Sequence, residues 1–231
     1  MAVTLSVQLL LVLAVAGGLV GLRTRSEVAS FGYRIPDDEP RGDGWAAWAS
    51  WWPVLGLVIL WPAVGATVEA RIGWEAVPAY LLLAWLSVVL MWIDADVHRL
   101  PNGLTYPAYP ALGVLLLAAS LILGDRRWVG ALVGMVGLVL LVGLMWLLTR
   151  GQVGLGDVKW SGVIGLALGW LGLDALLIGT AATFLIGGVW AVFLILFRGA
   201  GRSTPLAYGP AMCLGAFVAI LSDARVVDLL G

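Results

Sequence analysis

Two segments place carboxylates at the ends of long apolar runs. The first, IDADVHRLPNGLT at residues 93–105, follows AYLLLAWLSVVLMW and carries Asp94 and Asp96. The second, GLGDVK at residues 154–159, carries Asp157 two positions before Lys159 and lies between two more apolar runs. A carboxylate at such a depth is costly unless it is paired, neutralised or hydrated. Two carboxylates sharing one site split their titration, because like charges that close cannot both ionise readily. In the singly protonated form the ionised member can take a proton from water, and the protonated member can polarise a carbonyl. A proton later reaches the leaving nitrogen. That is the chemistry of amide hydrolysis with neither a metal nor a covalent intermediate. The assignment of base and acid stays open, since the two titrations are coupled.

The neighbouring residues have candidate roles and plainer alternatives. Gly154 and Gly156 give the backbone access to positive φ and leave no Cβ in the way, so that a chain could lie close beside them. Asp157 also suits a simple turn, as the N-cap of the next helix. Pro101, seven positions after Asp94, is expected to end the extension beyond the preceding helix and fix the loop, with Asn102 next to it. Lys159 suits tuning of the pair's proton affinity or contact with substrate, and equally suits snorkelling to water. Asp96 is the lower-ranked alternative to Asp94. On a continuing helix the two would point about 200° apart, so at most one would face a partner easily.

The rest of the titratable chemistry is sparse. His98 is the only histidine and Cys213 the only cysteine. No intramolecular disulfide and no cysteine-based zinc site can be built, and neither a metal nor another cofactor is expected. Cys213 reads as a small apolar packing residue, and His98 as an exposed loop residue. Net charge is −1, which gives no reason to expect nucleic acid as a partner.

The elements that must position these groups are membrane helices. Of the 231 residues, 61% are hydrophobic and 12% charged, against about 25% charged in a soluble domain. Apolar runs of roughly 20 residues match the ~30 Å hydrocarbon core of a bilayer. The expected fold is all-α, a polytopic bundle of about eight transmembrane helices forming a single domain over residues 1–231. The spans are drawn at roughly 3–22, 46–67, 73–93, 103–123, 128–148, 160–172, 174–197 and 209–229. The sixth is short and could merge with the seventh, leaving seven. Residues 23–45 form the one longer connection, a surface loop of mixed charge. The 13 tryptophans, many near predicted helix ends, read as interfacial anchors.

Basic residues set the orientation. With eight spans, one side carries Arg23, Arg25, Arg34, Arg41, Arg99, Arg150, Lys159, Arg198 and Arg202; the other carries Arg71, Arg126, Arg127 and Arg225. The richer side is assigned to the cytoplasm, which places both termini outside and Asp94 and Asp157 on the same, cytoplasmic face of the plasma (inner) membrane. The first apolar run has no basic residue before it and reads as a retained helix, with a cleaved signal peptide as the alternative.

Taken together, Ile93-Asp94, Leu100-Pro101-Asn102 and Gly154-x-Gly156-Asp157-x-Lys159, in that order, resemble the type IV prepilin peptidase family of membrane aspartic proteases. The segment LAYGPAMCLGA at 206–216 is similar to that family's Pro-Phe-Gly-Pro opening of the last helix, with Ala207 and Tyr208 in place of Pro-Phe. By position, Asp94 and Asp157 match the family's catalytic pair. The resemblance implies cleavage of prepilin-like proteins, each a basic leader followed by one hydrophobic helix, at the cytoplasmic membrane face. Many bacterial members have a longer first loop with two Cys-x-x-Cys pairs, associated with zinc and with N-methylation of the product. Here that loop contains no cysteine, which puts the methylation in doubt. Gly162, Gly165 and Gly169 offer small-residue packing, either for a substrate helix or for the protein's own helices.

Three other readings fit parts of the pattern. A presenilin- or signal-peptide-peptidase-like protease shares Gly-x-Gly-Asp, but no Tyr-Asp or Pro-Ala-Leu motif is found. A small proton- or ion-coupled transporter would hold its acids near the bilayer midplane, whereas these lie at predicted helix ends. A catalytically silent pilus-assembly factor need not retain both carboxylates.

Overall fold

The apolar runs fold as eight α-helices among the described residues, with no strand among them. The computed structural model describes residues 2–36, 38, 51–149, 153–198 and 208–222. In chain order the helices are α1 (Ala2–Ala29), α2 (Trp52–Arg71), α3 (Val77–Val97), α4 (Asn102–Leu123), α5 (Arg127–Leu148), α6 (Leu155–Leu171), α7 (Leu173–Arg198) and α8 (Gly209–Leu221). Six of them are long and apolar enough to cross a bilayer, while α8 is a shorter apolar helix. The polytopic helical bundle follows directly from the hydropathy pattern. Parts of the second and last predicted spans, 46–50 and 223–229, lie outside the described residues.

The helix ends depart from the sequence expectation. The first extends to Ala29, so residues 23–29 are helix and not loop. An Arg23–Glu27 pair one turn apart, 2.9 Å, lies along this extension. The third continues four residues past 93 and carries both Asp94 and Asp96 inside it. It stops at His98, whose exposed side chain sits on a left-handed backbone, φ 50°. The sixth and seventh helices do not merge. Gly172, at φ 130°, breaks the chain between them in a conformation that side-chain-bearing residues rarely adopt.

The helices group into two compact units, Met1–Val97 and His98–Gly231. In the first, α2 packs against both α1 and α3. Gly17 and Gly21 of α1 bring its backbone against Leu57, Pro53 and Val54 of α2, where a Cβ at Gly21 would come within 2.6 Å of Val54 Cα. Indole donors tie the same helices together: Trp52 to the Val88 carbonyl at 3.3 Å, Trp61 to the Leu81 carbonyl at 3.1 Å, and Trp85 to the Thr24 hydroxyl at 2.9 Å.

In the second unit α6 is the central element, in contact with α4, α5, α7 and α8. Its sequence explains that position, since an apolar helix with small residues on several faces can be surrounded closely. Gly165 and Gly169 lie on Gly134 and Gly130 of α5, backbone against backbone, with no room for a Cβ on either side. Gly162 faces Val139 and the Tyr109 hydroxyl. All three glycines therefore serve packing within the protein. Trp160 and Trp170 of α6 are buried as well. They donate to Cys213 Sγ (3.3 Å) and to the Ser120 hydroxyl (2.8 Å) and Leu116 carbonyl (3.1 Å). These tryptophans, with buried Trp92, are core cross-links and not the interfacial anchors expected from their positions.

Candidate active site

In the first unit, Asp94 and Asp96 both lie in the last turn of α3 and both are buried, 4% and 0% exposed. Three donated hydrogen bonds reach Asp96. Arg34 donates to it from Nε at 2.8 Å and from Nη2 at 3.0 Å, and Tyr33 donates from its hydroxyl at 2.7 Å. Trp92 Nε1 in turn donates to the Tyr33 oxygen at 3.0 Å. A bidentate guanidinium with a third donor is the arrangement that lets a carboxylate be buried in charged form. Burial first, and donation to Asp96 second, push the Tyr33 phenol above its ordinary range. The bond to Asp96 pushes the Arg34 guanidinium higher still. Residues 33 and 34, expected on a surface loop, are thus docked onto α3. Neither Tyr33 nor Arg34 stood out in the sequence, because their partner is 62 to 63 positions away.

In the second unit, the LPN and GLGDVK segments meet. Lys159 Nζ donates to Asn102 Oδ1 at 2.9 Å and lies 5.1 Å from the centre of the Tyr106 ring. Tyr109, another residue the motifs did not single out, donates its hydroxyl to the Lys159 carbonyl. A Cβ on Gly156 would come within 3.1 Å of Leu100 Cβ, so the glycine allows the close approach of the other segment. The expected use of positive φ is not made. Gly154 has φ −68°, and Gly156 is not among the positive-φ glycines. Pro101 is the N-cap residue of α4, and its carbonyl accepts the Thr105 amide at 3.0 Å. It therefore opens a helix, while His98 ends the previous one.

Asp157 is buried, 6% exposed, in the first turn of α6. Helix α6 begins five residues earlier than expected, so Asp157 is not the N-cap. That position belongs to Gly154, whose amide donates to Asp157 Oδ2 at 3.2 Å. A carboxylate here also meets the positive end of the helix dipole. One of the amides left without a helical partner thus holds the side chain in place.

Tyr208 stands immediately before α8, 7% exposed, with its ring against Gly187 and tilted on Phe184 at 6.3 Å between centroids. Its hydroxyl is buried without a hydrogen-bond partner among the described residues. Burial, and secondarily the charge of Asp157, push its phenol up to about 12. It therefore keeps its proton at neutral pH.

Among the described residues no three His, Cys, Asp or Glu side chains converge on a point where they could hold a metal ion. In the second unit the groups around the start of α6 that can carry or donate a proton are the Asp157 carboxylate, the Lys159 ammonium and the Tyr208 phenol.

The type IV leader peptidase family profile matches residues 81–220. The chain is 33% identical over 181 residues to the prepilin leader peptidase/N-methyltransferase of Aeromonas salmonicida (strain A449), covering 76% of this chain and 60% of that protein. It is 33% identical over 175 residues to the protein of the same name from Aeromonas hydrophila, covering 74% and 58%. The Bacillus subtilis (strain 168) protein of that name is 28% identical over 179 residues, covering 77% and 68%. The chain thus spans about 60% of the length of the Aeromonas relatives. No solved structure matches it.

Proposed function

Because the chain belongs to the type IV leader peptidase family, we propose that it is a membrane-embedded aspartic endopeptidase that removes the leader of prepilin-like proteins. Asp94 and Asp157 act as the catalytic pair of a single peptidase domain. They share one proton. The ionised carboxylate removes a proton from water as the water oxygen adds to the scissile carbonyl carbon, and the protonated one donates toward the carbonyl oxygen. Collapse breaks the C–N bond, and the nitrogen leaves with a proton from the pair. The orientation assigned from basic residues puts this reaction at the cytoplasmic face of the inner membrane.

The observation that carries this reading is the junction of the two motif segments. Lys159 of GLGDVK is bonded to Asn102 of LPN two residues from a buried Asp157 that is held at a helix start. Asp96 is assigned a positioning role and not catalysis, since its carboxylate is already committed to Arg34 and Tyr33. Gly154, Gly156, Pro101 and Asn102 support the site through the contacts described above. Of the relatives' printed name we carry over the peptidase half alone, because the first connection has none of the paired cysteines associated with methylation.

The test is cleavage of a prepilin-like, single-helix substrate by the full chain in lipid, comparing wild type with Asp94→Asn and Asp157→Asn. Each amide variant should insert normally and lose cleavage by at least about 10²-fold, as loss of a proton-transferring group requires. Robust cleavage by either variant removes that aspartate from the mechanism.

A further inference from the structure

The buried Tyr208 hydroxyl makes no hydrogen bond among the described residues. It lines a cavity between α5, α6, α7 and α8 together with Leu138, Val142, Ile164, Ser161 and Thr183. The cavity wall is otherwise apolar except for three hydroxyls, and each of these donates to a helix carbonyl. Ser161 donates to Val158 at 2.7 Å, Thr180 to Leu176 at 2.6 Å and Thr183 to Gly179 at 2.8 Å. Tyr208 is the one described side chain lining the cavity whose donor is uncommitted. Leaving a buried hydroxyl without a partner costs about 1–3 kcal/mol. A phenylalanine would fill the same ring position against Gly187 and Phe184 without that cost.

A peptide presented for hydrolysis has the matching need. Around the cut its backbone must leave helical geometry, and each carbonyl released at an apolar site then lacks a donor. We infer that Tyr208 is a substrate-binding residue whose hydroxyl donates a hydrogen bond to a backbone carbonyl of the extended peptide segment beside Asp157. This rests on the peptidase reading above and adds to it a group outside the carboxylate pair. The contact forms in the bound substrate and persists through the reaction, so it contributes to binding more than to the chemical step. The phenol's retained proton, at a group raised to about 12, keeps it a donor across the working pH range.

The experiment uses the full chain in lipid and a fluorescently labelled prepilin-like substrate. Tyr208→Phe should raise KM about 5- to 10-fold, the loss of one neutral hydrogen bond, with kcat within about threefold and melting temperature unchanged or higher. In the Asp157→Asn background, where substrate binds without being cut, adding Tyr208→Phe should weaken the measured Kd by the same factor. Unchanged KM and Kd overturn the inference, and so does a lower melting temperature matching the loss of binding, which would make the hydroxyl structural. Failure of the underlying reading looks different. Wild-type-like cleavage by Asp157→Asn or Asp94→Asn removes the peptidase pair, and with it the inference, whatever Tyr208→Phe does.

Discussion

Arg34 grips Asp96 with two guanidinium nitrogens, 2.8 and 3.0 Å away, and so fixes the segment after α1 onto the end of α3. The carboxylate is fully buried and the arginine side chain only 17% exposed. Removing one partner from such a pair strands the other. Arg34→Ala should therefore lower the unfolding free energy by on the order of 3 kcal/mol, read as a fall in melting temperature in detergent. Asp96→Asn should destabilise in the same direction, while the molecules that remain folded keep a kcat within a few-fold of wild type. A dead but fully stable Asp96→Asn would reassign the catalytic member of the first motif.

Tyr33 gives that cluster a pH limit. Its folded-state pKa is raised above the unfolded value of about 10. The neutral phenol is thus the favoured form in the folded state. Its contribution to stability is complete below about pH 10 and is lost as pH rises through the higher folded value. Melting temperature followed from pH 7 to 11 should fall more steeply for wild type than for Tyr33→Phe at the alkaline end, and the two slopes should match near neutrality.

The α5–α6 seam should tolerate no added bulk. Gly165→Val or Gly169→Val forces side-chain atoms into the backbone of α5, and overpacking of this kind costs about 1–3 kcal/mol or more. Gly137→Ala, one helix turn from the seam with nothing within 4 Å of its Cβ position, should be neutral or stabilising by up to about 1 kcal/mol. Thermal unfolding of the three variants checks the contrast. Equal losses in all three would mean that the seam does not hold the unit together.

The Lys159–Asn102 bond is exposed, so its loss should cost less than about 1 kcal/mol in stability. Its larger effect should be on catalysis, through the placement of the segment beginning at Leu100 beside Gly156. Asn102→Ala is expected to reduce kcat/KM about 3- to 10-fold without altering the melting temperature, and Lys159→Met to do the same. Wild-type kinetics in both variants would make the bond incidental.

Much of this architecture could be read from residue types, because a bilayer leaves an apolar run few options beyond a helix. What escaped were features set by distant partners. Charged side chains after residue 93 predict that α3 ends there. The helix in fact continues, since Arg34 neutralises Asp96 and Tyr33 donates to it from another part of the chain. Gly165 and Gly169 suit a substrate helix or self-packing by residue type alone, and only the opposed Gly134 and Gly130, about 30 to 40 positions away, decide for self-packing. In sequence Tyr208 is only a departure from a motif. That its hydroxyl is unpartnered depends on which neighbours α7 supplies, and nothing local in the chain encodes that.

Helix α6 has 17 residues, which at 1.5 Å per residue is a rod about 25 Å long. The oily slab around it is about 30 Å thick. If α6 stands across that slab, at least one of its ends falls short of the headgroups, and the lipid must pucker inward to meet it. At the Asp157 end, such a dimple would carry solvent down to a peptide bond that a flat membrane would keep dry.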